Sequence, residues 1–183
     1  MKFYRKIQPY LVSLVAFILV AAVFLQEVHG EAMASSDSPN QCVQRDGLTF
    51  NGIGLWTKLP MVLKSYGQPL RMEPMDGANK DRVYGNYYYK DIKLLIFNSI
   101  VWQINVLTPD ISTKSGIHLF NDFSEVEKML GVKLTNPLSE QSNRVSFKVP
   151  ICPPDPPEVE EFIILSFDQN NRLVDFTVEG VFP

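Results

Sequence analysis

Histidine and cysteine are nearly absent from this chain, with two of each in 183 residues. His29 falls in an N-terminal leader, so the rest of the chain has a single base near neutrality, His118. A nucleophilic triad or a zinc site needs more than that. No second His or Cys stands at ligand spacing, and the plain reading is a loop histidine beside Ile117. Gly52 and Gly54 ahead of a helix are only a fragment of a phosphate loop. Cations are also few. The chain holds 17 Lys+Arg against 20 Asp+Glu; removing Lys2, Arg5, Lys6 and Glu27 with the leader leaves 14 against 19, a formal charge of −5. That balance disfavours nucleic acid or an anionic membrane as partner. No Asn-x-Ser/Thr site occurs, which favours a bacterial envelope over a eukaryotic secretory route. The expectation is a non-enzymatic protein without cofactor or metal.

What is present begins with an address. Residues 1–30 combine a basic start with an apolar run, Tyr10 to Leu25, shorter than the ~20 residues of a membrane span. Small-residue cleavage patterns follow, so the segment reads as a signal peptide, with a retained inner-membrane anchor as the alternative. The product is then periplasmic or secreted. Residues 31–47 are polar and rich in Pro and Ser, a flexible lead-in. Cys42 closes it. In an exported protein Cys42 and Cys152 suggest a disulfide, worth about 4 to 5 kcal/mol by loop closure; two free thiols are the alternative.

The strongest pattern is internal. Residues 52–67 (GIGLWTKLPMVLKSYG) are answered at 116–131 (GIHLFNDFSEVEKMLG), with six of sixteen positions identical and no gap. Chance from average composition gives about one. Each copy predicts a helix of two to three turns. Pro60 suits the opening turn of the first, Asp122 and Glu125 have capping-box spacing in the second, and Gly67 and Gly131 fall where helices end. Leu59, Val62, Leu63 and Tyr66, then Phe123, Val126, Met129 and Leu130, recur at helical spacing.

Strand patterns follow each copy: 83–90, 92–97 and 100–107 after the first, then 144–149, 162–168 and 172–178. The stretch 71–82, with Pro74 and Gly77, reads as a loop. Tight turns at Asp91 and Asn98-Ser99 predict an antiparallel meander. Trp102, Ile104 and Val106 are expected on the packed face, under the helices with Phe176, and Val101, Gln103 and Asn105 on the wet one. The second half differs by a Pro-rich insertion, residues 150–161, read as an extended loop or arm; its Glu158, Glu160 and Glu161 read as a solvated rim. The expected fold is α+β: two tandem units, residues 48–110 and 111–183, each a short helix plus an antiparallel meander, with the two sheets joined into one curved sheet.

A Gly-Ile-x-Leu opening, a polar cap, a Val inside a two-turn helix, a closing Gly and then antiparallel strands resembles the repeat of the BamE (SmpA/OmlA) outer-membrane assembly lipoproteins. Two such units in one exported chain resemble the β-lactamase inhibitory protein. The resemblance covers roughly residues 48–180 and implies a concave sheet that grips a protein target. The chain departs from it in lacking a lipobox cysteine and in carrying the Pro-rich insertion, and no interface residue carries over.

With little chemistry on offer, a surface is what remains. Successive side chains of Tyr87-Tyr88-Tyr89 point to opposite faces of a strand. One set is expected outward beside Gln103 and Asn105, an interface-like composition. We therefore expect a protein-binding site at Tyr87, Tyr89 and Gln103, with residues 153–157 as its rim; the bland alternative is tyrosines that only cover a sheet edge. Two roles follow: an inhibitor- or immunity-like binder of an unidentified protein, or a structural accessory of envelope assembly.

Overall fold

Alternation of buried and half-buried side chains, with period two, marks inner strands of the eight that form. The computed structural model describes residues 42–75, 84–141, 143–152 and 159–181, all within one unit, Pro39–Pro183. The signal peptide, most of the lead-in and the 153–157 rim lie outside the described residues. The strands are β1 (Arg71–Pro74), β2 (Tyr84–Tyr88), β3 (Ile92–Phe97), β4 (Ile100–Val106), β5 (Ser139–Gln141), β6 (Arg144–Pro150), β7 (Glu160–Asp168) and β8 (Leu173–Val181). They form one antiparallel sheet in the order β1-β2-β3-β4-β8-β7-β6-β5.

This overturns the expected division into two helix-plus-meander units, while the expected joining of the strands into one sheet is found. The ladder runs unbroken across the expected boundary, because β4 pairs with β8 at Gln103↔Glu179, Ile104↔Val178 and Asn105↔Thr177. Asn105 Nδ2 donates to Thr177 Oγ1 at 2.7 Å and Gln103 Nε2 to Glu179 Oε2 at 3.2 Å, so amides expected on a free surface stitch the middle of the sheet. Two open inner edges would each leave a row of unpaired backbone groups, and joining them removes both. The stretch expected as a loop after the first helix is, at Arg71–Pro74, an edge strand; Pro74 is tolerated there.

Two helices cover one face. In α1 (Leu59–Tyr66) Pro60 occupies the first turn, Val62 is buried, and Gly67 ends the helix at φ 75° with its N–H on the Leu63 carbonyl. In α2 (Phe123–Leu130) Asp122 and Glu125 form the capping box, Val126 and Leu130 are buried, and Gly131 adopts the left-handed conformation. Their apolar sides join Tyr87, Ile92, Leu94, Ile104, Leu165, Phe176 and Val178 in a single core. Phe123 packs against the rings of Phe147 and Phe167 at 5.5 and 4.9 Å, and Tyr66 against Tyr89 at 5.3 Å.

The chain ahead of each helix enters the sheet plane where β4 and β8 part. Trp56 N–H donates to the Val101 carbonyl at 2.8 Å, and Val101 N–H to that of Thr57. Phe120 N–H donates to the Leu173 carbonyl at 2.7 Å, and Leu173 N–H to that of Asn121. Trp56 and Phe120 are both non-glycine residues at positive φ, 66° and 73°.

Candidate functional site on the open face of the sheet

Tyr87 and Tyr89 are turned into the core, 9 % and 5 % exposed. Their expected role as surface residues is corrected by the strand's alternation: Tyr87 in β2 and Tyr89 just past its end face the helix-covered side, and Tyr84, Asn86 and Tyr88 the other. Burial raises the phenol pKa of both. Gln103 lies on the open face, so the three do not form one surface. Outward instead is Tyr88, whose hydroxyl donates to Glu73 Oε2 at 2.6 Å while the Arg71 guanidinium lies 4.1 Å above its ring.

Trp102 also changes sides. A register shift opposite Leu95/Ile96 lets Val101 and Ile104, three residues apart, both face the core. Trp102 is thereby placed beside Phe97 on the open face, against the expectation that it packs under the helices. A β-bulge is what re-aims a side chain in this way. Its indole N–H donates to the Phe97 carbonyl at 3.3 Å.

The result is an aromatic row across three strands. Tyr84 of β2 meets Phe97 of β3 edge to face, centroids 5.2 Å apart, and Phe97 meets Trp102 of β4 at 5.9 Å. Trp56 continues the row with a T-shaped contact to Trp102 at 4.5 Å. These rings border a hollow of about 280 Å³ lined by Tyr84, Leu95, Phe97, Trp102, Gln103, Glu179 and Gly180. Its character is apolar on one side and carboxamide–carboxylate on the other.

The residue that sequence reasoning missed is Glu161. Expected on a solvated rim, it is buried: Arg45 Nε donates to its Oε2 at 2.9 Å, Arg45 Nη2 reaches Oε1, and the Trp56 indole N–H donates to the same oxygen. A partner 116 positions away in sequence left no local signal. Cys42 and Cys152 are bonded with Cα atoms 4.9 Å apart, pinning the same lead-in to the end of β6. His118 has its ring nitrogens 2.7 Å from the Leu119 carbonyl and 3.2 Å from Asn121 Nδ2, contacts that hold its own loop. Among the described residues no cluster of His, Cys, Asp and Glu is placed to hold a metal, and no helix is long and apolar enough to cross a membrane.

No family model matches the chain, and no curated protein matches it. Among solved structures it is similar to an extracellular SCP-domain protein from Bacillus anthracis str. Ames, at 14 % identity and TM-score 0.45, over 68 % of this chain and 43 % of that one. It is also similar to a cysteine-rich secretory protein from Staphylococcus aureus subsp. aureus Mu50, at 10 % identity and TM-score 0.47, over 77 % of this chain and 48 % of that one. The chain spans less than half the length of either. Neither likeness bears on the BamE or β-lactamase inhibitory protein resemblance.

Proposed function

We propose that this is an exported, non-catalytic protein-binding module, inhibitor- or immunity-like in role, whose docking surface is the open sheet face around Tyr84, Phe97, Trp102 and Gln103. The observation that carries the reading is the aromatic row on the face opposite both helices, set around a hollow and bordered by amide and carboxylate groups. Aromatic anchors with a polar rim are the composition of protein interfaces, and rigid rings lose little conformational freedom on docking. Export is supported by the basic-then-apolar N-terminus and by the disulfide, a bond that persists in oxidising compartments.

The test is site-specific photocrosslinking in cells. A benzophenone amino acid at Leu95, on the open face, should capture a protein that the same probe at Met61, exposed on α1, does not capture. Leu95→Asp on the chain carrying its probe at Gln103 should abolish that adduct while the melting temperature holds. Capture from Met61 alone, or adducts indifferent to Leu95→Asp, would move the docking surface off this face.

A further inference from the structure

The hollow has a polarity of its own, and it points to a particular kind of side chain. Building on the docking reading above, we propose that it receives an arginine of the partner, the guanidinium lying against the aromatic row with its N–H groups on Glu179.

Four features converge. The walls are three rings from adjacent strands in successive edge-to-face contact, with interplanar angles of 83° and 75°. Rings arranged so turn their negative faces in different directions, and a cation entering among them is attracted electrostatically. The far wall is Glu179, half-buried, whose Oε2 accepts one hydrogen bond from Gln103. A carboxylate has about four acceptor sites, so most of its capacity is left for an incoming donor. The floor is stiff, because Gly180 lies so close to Trp56 that an added Cβ would sit 2.9 Å from the indole. Finally, about 280 Å³ falls just under the ~300 to 1,000 Å³ of small-molecule pockets, a size for one side chain.

Charge selects among side chains. Among the described residues, none that lines the hollow is basic. The same face already seats its own cations on rings at either side, Lys148 Nζ 3.6 Å above Phe162 and Arg71 4.1 Å above Tyr88. Phe162 is the cross-strand neighbour of Glu179, so a cation already rests on a ring beside this same carboxylate. An apolar side chain entering the hollow would desolvate Glu179 and offer no donor in return. A guanidinium stacks on aromatic faces and presents a planar fork that fits a carboxylate; an ammonium does neither as well.

The experiment uses the intact exported protein and three probes: N-acetyl-arginine amide, its neutral isostere N-acetyl-citrulline amide, and N-acetyl-leucine amide. The chain has two tryptophans, so the Trp102 indole N–H resonance is identified by its persistence in Trp56→Phe. The arginine probe should shift that resonance saturably and bind about tenfold more tightly than citrulline. Glu179→Gln should erase the difference with the melting temperature unchanged. Equal binding of arginine and citrulline, tighter binding of leucine, indifference to Glu179→Gln, or no shift with any probe would each overturn the proposal. If arginine selectivity is absent but crosslinking from Leu95 still captures a partner, the docking face stands and only the cation claim falls. If selectivity holds while crosslinking fails, the cation site stands and the docking reading falls.

Discussion

Arg45 and Glu161, 116 residues apart, meet through both guanidinium arms, with Nε 2.9 Å from Oε2 and Nη2 on Oε1. Glu161 has 2 % of its side chain exposed and Arg45 34 %, so the pair is a buried anion held by a cation at the surface. That asymmetry makes the two halves unequal to mutation. Arg45→Ala leaves a carboxylate in the interior without its cation, and we expect a loss of about 2 to 3 kcal/mol, somewhat below the ~3 to 5 of fully buried pairs. Glu161→Gln leaves an arginine that water can reach and an amide oxygen for the Trp56 indole, so it should cost less. Urea denaturation of the two variants decides it; the reverse order would mean that Glu161 is solvated.

The disulfide joins Cys42 and Cys152 across 110 residues, and backbone bonds from Val43 N–H to the Pro150 carbonyl and from Cys152 N–H to the Val43 carbonyl continue it. Replacing both cysteines by serine should lower stability by about 4 to 5 kcal/mol in the chain-entropy account. Hydrogen exchange should show those two amides opening before the centre of β7 and β8. Equal stability of the oxidised and serine forms would contradict the bond.

Gly85 tests the edge strand that the sequence did not announce. An added Cβ there would sit 2.6 Å from the Glu73 carbonyl oxygen, a backbone atom of β1 that cannot step aside alone. Gly85→Ala should detach β1, with a loss of about 1 to 3 kcal/mol as for an overpacked site. The Leu70 amide, bonded to the Tyr88 carbonyl, should lose its exchange protection. Retained protection at Leu70 would argue against β1.

Tyr66 sets an alkaline limit. Burial pushes its phenol up to about 12, partly offset by a hydrogen bond with Asn51. A folded pKa above the unfolded value of about 10 means that the folded state holds the proton more tightly. Its stabilising contribution is therefore complete below pH ~10 and is lost as pH rises from there toward 12. Thermal melts across that window should fall less steeply for Tyr66→Phe than for the parent chain. Parallel slopes would show that Tyr66 titrates as an exposed phenol.

Local signals were sufficient for the two α-helices and six of the eight strands, but not for the edge strands β1 and β5. Helical spacing at Val62, Val126 and Leu130, the capping residues Asp122 and Glu125, the glycines at 67 and 131 and alternation in β3, β4, β7 and β8 are all readable because each depends on residues within a turn or two. The Asn98-Ser99 turn, with φ of 50° and 62°, belongs to the same class. The two-unit architecture was inferred from a real repetition of local pattern, but a pattern that recurs says nothing about which backbone edges pair. The sheets were expected to join, but the place where they do, the β4–β8 ladder between residues 72 to 76 positions apart, was not legible, and it leaves one eight-stranded sheet rather than two units.

The candidate site was the least legible part, for a geometric reason. Alternation shows that Tyr87 and Tyr88 lie on opposite faces and leaves open which face is covered; that depends on where the helices pack. A single bulged residue then inverts the side of Trp102 without changing its strand. Glu161 reads as solvated among its acidic neighbours until Arg45 and Trp56 are brought to it from the far end of the chain. Sequence alone determined where the helices and most strands form, since hydrogen bonding and capping are local. The sheet's continuity, the covered face and the partner of the buried charge were decided by contacts between residues far apart in the chain, which exist only once the fold has closed.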